Sequence, residues 1–179
     1  MYRLWLGAET LIQPHWAIGG GPTFNEVMRA ATKSAFRQLG PGCKKFFDVD
    51  PSTTSGTNNL QDVDKHINGM TFKDARGLPG DDSVALTLFN IDTVILGGLF
   101  FNPANDVKVL PQETKDDDFR RNALVHEYMH SKWDMNDVDL YNEWGLRRKG
   151  YTGRSDLPSP DRESDAIRQF IAFDCKSKL

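Results

Sequence analysis

Apolar residues recur at helical spacing through Val27, Ala30, Ala31, Ala35 and Leu39, and Thr23 stands three residues before Glu26 as in a capping box. This predicts a helix over 24–39, stopped by Gly40-Pro41-Gly42. The stretch from Pro51 to Asp62, rich in Ser, Thr, Gly and Asn, reads as a surface loop. Val84 to Phe89 and Thr93 to Leu96 are short β-prone runs bounded by Asn, Asp and Gly. With Leu99-Phe-Phe101, which ends at Asn102-Pro103, they read as sheet strands. Three acids, Asp116 to Asp118, favour a helix N-terminus ahead of a helical pattern over 119–132. A second such pattern runs over 161–173, with Ala166, Ile167, Phe170 and Ile171 on one face. No internal repeat is visible, and the order of elements is that of an α+β domain.

One domain is what 179 residues allow, with a sizeable core but no room for two comfortable ones. Apolar residues make up 39% and charged residues 26%, a globular balance in which 11 Phe, 4 Trp and 4 Tyr supply much of the core. The formal charge of −3 leaves no global positive field to gather nucleic acid or an anionic membrane, so neither is expected as a partner. The longest apolar stretch, Val84 to Phe101, is interrupted by Asn90, Asp92 and Gly97-Gly98 and is not a membrane span. Met1 to Gly7 lack a long apolar region and a small-residue cleavage site, so no secretory signal is visible. Two cysteines, Cys43 and Cys175, permit at most one disulfide, and the sequence leaves a bridge and two reduced thiols equally open.

Chemistry enters at Ala123-Leu-Val-His-Glu-Tyr-Met-His130, which contains His-Glu-x-x-His. On a helix, His126 and His130 lie one turn apart, so both imidazoles project from one face and can converge on one ion. Glu127 then sits close enough to take a proton from a metal-bound water. A zinc ion there would lower the pKa of that water and polarise a scissile carbonyl, the two things that amide hydrolysis requires near neutral pH. With 4 His in 179 residues, a chance match to the motif is expected only roughly 0.003 times per chain. Zinc is therefore the expected cofactor.

A catalytic zinc takes three protein ligands and keeps one position open for water. His15, beside Trp16, and His66, in a polar stretch, read as surface or packing histidines, and Cys43 precedes Lys44-Lys45 in a structural loop. The third ligand should be a carboxylate, from among Asp134, Asp137, Asp139, Glu143, Glu163 and Asp165. Asp134 is too close, because the chain must turn before a third group faces the first two. Asp139 lies in the turn-rich run 135–141, which can fold back over a metal, while Glu163 would come from the last helix. The alternative for each acid is a solvated charge or a helix cap.

These residues resemble the deuterolysin family, the aspzincins, which includes lysine-specific metalloendopeptidases. Gly42-Cys-Lys-Lys-Phe-Phe47 is similar to the family's Cys and Phe-Phe segment, and Val94 to Pro103 to its apolar strand ending in Phe-Phe-x-x-Pro. His126 to His130, the Asp and Tyr cluster at 137–141, and Ser164-Asp-Ala-Ile-Arg-Gln-Phe170 follow in the family's order, so the likeness spans roughly residues 24 to 175. One departure is the metal loop. The family reads Gly-Thr-x-Asp-x-x-Tyr-Gly, whereas Met135 to Tyr141 lacks the Gly-Thr, and Tyr141 follows Asp139 by two positions. That leaves the third ligand open between Asp139 and Asp137.

The resemblance implies a zinc-dependent endopeptidase of zincin-like fold spanning 1–179, with a small twisted sheet, an active-site helix beneath it and a C-terminal helix; a monomer is expected. An edge strand, taken as Thr93 to Phe101, would pair with an extended polypeptide substrate. Glu127 would be the general base, and Tyr141 would donate to the tetrahedral oxyanion unless it packs beside Trp144. Asp165, matching an acid on the family's last helix, would favour Lys after the scissile bond, unless it caps that helix. The resemblance also implies secretion, since the family is usually secreted with several disulfides; with at most one disulfide here and no visible signal, a cytoplasmic location stays open. Two rivals remain: a glutamate-type zinc peptidase with Glu163 as third ligand, and a non-catalytic zinc-stabilised effector or recognition domain, against which the intact Glu127 argues.

Overall fold

A computed structural model describes residues 23–76, 83–88, 90–103, 116–134 and 136. Within them the chain forms α1 (Phe24–Arg37), α2 (Pro41–Phe46), α3 (Thr54–Gly69), β1 (Thr71–Asp74), β2 (Ala85–Leu88), β3 (Thr93–Leu96), α4 (Gly98–Phe101) and α5 (Asp116–Trp133). The arrangement is α+β. The helix expected over 161–173 lies outside the described residues.

Helix α1 begins as its sequence implies. The Thr23 hydroxyl accepts from the Glu26 N–H at 3.3 Å, and the Glu26 carboxylate accepts from the Thr23 N–H at 2.5 Å. The same backbone N–H holds the Glu26 carboxyl below its ordinary range. Val27, Met28, Ala31, Ala35 and Phe36 form the buried stripe, and they pack against α5 and β1. Three other expectations need correction. Pro51 to Asp62 is no loop beyond its first residues, because Thr53 caps α3 by accepting from the Gly56 N–H at 2.9 Å. The Ser, Thr and Asn content marks a helix start there. Gly56 is required at that point, since a Cβ would stand 1.9 Å from the Asp50 carbonyl oxygen. Cys43, expected in a structural loop, sits on α2, buried and disulfide-bonded. The chain's other cysteine, Cys175, lies outside the described residues.

The third correction concerns the sheet. Its order is β1-β3-β2, with β1 parallel and β2 antiparallel to β3. Thr93–Leu96 is therefore the central strand, and its ladder groups are taken on both sides; the antiparallel edge of the described sheet is β2. Leu99-Phe-Phe101 is a single helical turn instead of a strand extension. The chain leaves the sheet at Gly97, where a Cβ would meet the Ser83 carbonyl oxygen at 2.2 Å. The turn's free carbonyls are met by Arg120 of α5, whose Nε donates to the Phe100 carbonyl at 2.9 Å and whose guanidinium also reaches the Phe101 carbonyl. No helix among the described residues is long and apolar enough to cross a membrane.

Candidate active site

Helix α5 is the most deeply set element. From Phe119 to His130 almost every side chain is buried, against α1 on one side and β2 on the other. A helix buried all round is normally apolar all round, yet this one carries Asn122, His126, Glu127 and His130 into the interior. Buried polar groups cost free energy unless they are satisfied or used. That makes them the informative residues of the chain.

His126 and His130 are exposed to only 5% and 7%, and their Nε2 atoms approach to 2.8 Å. One turn of helix and a shared face bring them together, with ring centroids 4.5 Å apart. At that separation one ring donates and the other accepts, which assigns them opposite tautomers when both are neutral. The donor set suits zinc. Two imidazole nitrogens on a tetrahedral ion at about 2.0–2.1 Å stand about 3.3 Å apart, so the pair need open by only about half an ångström. Among the described residues no third His, Cys, Asp or Glu joins them.

Glu127, exposed to 6%, turns its carboxylate toward the sheet. Its Oε2 accepts from the Thr87 hydroxyl of β2 at 2.6 Å, and the same hydroxyl lies 3.3 Å from the Glu127 carbonyl oxygen. The described residues give Oε1 no donor. A carboxylate and a hydroxyl thus meet between α5 and the sheet edge, and the same helix carries the two buried imidazoles. Sequence reasoning named three of them and missed Thr87, which is 40 residues from Glu127.

A second cluster, also missed, closes the far end of α5. Ser131 donates to Asp92 Oδ1 at 2.7 Å, and His66 Nε2 lies 2.8 Å from the Ser131 hydroxyl. The residue types are those of a hydrolytic triad, but the order of contacts is not. The serine proton lies on the Asp92 carboxylate, so His66 acts as donor and cannot be the base that activates Ser131. Burial against Tyr128 pushes the His66 pKa down, with Asp92 opposing. These contacts join α3, the β2–β3 turn and the residue after His130, and so fix the end of the helix. His66 serves packing, as its sequence context suggested.

The helix stops where the turn of the chain was expected. Asp134 adopts the left-handed conformation at φ 53°, its N–H bonded to the His130 carbonyl at 2.9 Å, and its side chain is exposed. Asp139, Asp137, Tyr141, Glu143, Glu163, Asp165 and His15 lie outside the described residues. Asp137 and Asp139 follow that turn within five residues. No family model, no characterised protein and no solved structure matches the chain.

Proposed function

We propose that the chain is a zinc-dependent endopeptidase in which His126 and His130 hold the metal and Glu127 is the general base. One observation carries this reading: a core helix presents two buried imidazoles 2.8 Å apart with a buried carboxylate one residue along. A merely structural role would be served better by apolar side chains in those positions. Zinc bound there supplies a polarised carbonyl and a water acidic near neutral pH. The chain's own residues do the rest. Glu127 would take a proton through the carboxylate oxygen that Thr87 leaves free, and return it to the leaving amine. Strand β2, the antiparallel edge beside α5, is suited to pair with an extended polypeptide through its backbone groups, in place of the central strand. The fold we propose is accordingly zincin-like, and Tyr141 is the proposed donor to the oxyanion.

Asp139 is the proposed third ligand. Asp139→Asn is then expected to remove most zinc affinity and Asp137→Asn little, as read by metal analysis after dialysis. The reverse order would move the ligand to Asp137 and reopen the role of Tyr141. Loss of zinc in Glu163→Gln with Asp139→Asn intact would decide for the glutamate-type site.

Substrate preference is proposed to rest on Asp165, whose carboxylate would pair with a long cation and disfavour apolar side chains. Mapping the cuts made in a denatured protein should show Lys enriched just after the scissile bond, and the enrichment should vanish in Asp165→Ala. Scattered cuts, or a Lys preference that survives the substitution, would place Asp165 outside the substrate pocket.

A further inference from the structure

Strand β2 is inside out by the usual rule of burial. On this four-residue edge strand Leu86 is exposed to 55%, while Thr87 is exposed to 4%. A one-residue slip would reverse that and bury the leucine. The observed register, with Thr87 opposite Val94 and Leu86 opposite Ile95, gives up burial of a leucine side chain and desolvates a hydroxyl. Such an exchange needs a partner for the hydroxyl, and the partner is Glu127.

We infer that Thr87 is a positioning residue for the Glu127 carboxylate, an inference that rests on the peptidase reading above. The Thr87 hydroxyl has one proton and two acceptors in reach, and the contact at 2.6 Å to Oε2 takes precedence over that at 3.3 Å to the backbone carbonyl. The donated bond engages one carboxylate oxygen and leaves Oε1 as the acceptor for a proton. Threonine suits this better than serine, because branching at Cβ stiffens χ1, and the ladder with β3 fixes the backbone that carries it. The base is thereby held from the sheet while the two imidazoles are held by the helix. Motion of Glu127 would otherwise spoil the geometry of proton transfer.

The test compares Thr87→Val, which keeps the shape and removes the hydroxyl, with Thr87→Ser, which keeps the hydroxyl, in the zinc-loaded full chain acting on a labelled denatured protein. In Thr87→Val kcat should fall about 10- to 100-fold, the usual loss for an orienting partner, with KM and zinc content unchanged. Thr87→Ser should recover most of that loss. A Thr87→Val variant within about threefold of the parent, or a serine variant as poor as the valine one, overturns the inference. A second arm needs neither metal nor activity. In the zinc-free protein the stability changes of Thr87→Val and Glu127→Ala, read by urea unfolding, should be non-additive in the double variant, because each removes one side of the bond, and strict additivity overturns the contact. Should Thr87→Val not fold, Thr87→Ala replaces it in both arms. Absence of zinc-dependent cleavage by the parent chain brings down the peptidase reading, whereas additivity in the cycle brings down the Thr87 contact alone.

Discussion

Glu127→Gln is expected to leave a folded protein with its full zinc complement and almost no turnover, a loss of about 10²- to 10⁴-fold for removal of a general base. The amide matches the carboxylate in shape, and its oxygen can still accept the Thr87 proton that Oε2 accepts at 2.6 Å. What it cannot do is take a proton from water and pass it on. The loss should therefore fall on kcat with little change in KM. Because the site is buried, the neutral amide is also easier to hold there than a carboxylate, so stability should not drop. Near-normal cleavage by this variant would remove Glu127 from the mechanism.

The second large effect is on metal content. His130→Ala takes away one of two imidazoles whose Nε2 atoms lie 2.8 Å apart, and a single remaining helical ligand is a poor zinc site. Zinc retained after dialysis should fall from about one per chain to a small fraction of that. The parent should also melt at a higher temperature as zinc is added, because the ion binds the folded state, and the variant should lose that response. Normal zinc content in His130→Ala would sink the assignment of both histidines.

Local signals made much of this legible from the sequence. The capping box at Thr23 and Glu26 and the period from Val27 onward placed α1, and the triple acid followed by His-Glu-x-x-His placed α5 with both imidazoles on one face. Where the reading failed, the deciding contact was either a cap mistaken for a loop or a pairing between distant residues. Thr53 capping α3 is the first kind. The second kind covers the edge position of β2, because strand order is set by pairings between separate segments, and it covers Thr87, whose meaning depends on Glu127 across the fold. The β-prone run from Val84 to Phe89 pointed to a strand but said nothing of the exposed Leu86 and buried Thr87. The cluster of His66, Asp92 and Ser131 was likewise invisible, its members coming from α3, a turn and α5. Asp134 ends the helix in a left-handed turn with its side chain exposed.

The most direct test of the central claim is to strip the full chain of metal, titrate zinc back, and follow cleavage of a denatured protein. The account predicts no cleavage without metal, and activity that rises with zinc and saturates at one ion per chain. Cleavage that persists in the metal-free protein, or none at any zinc concentration, would contradict it.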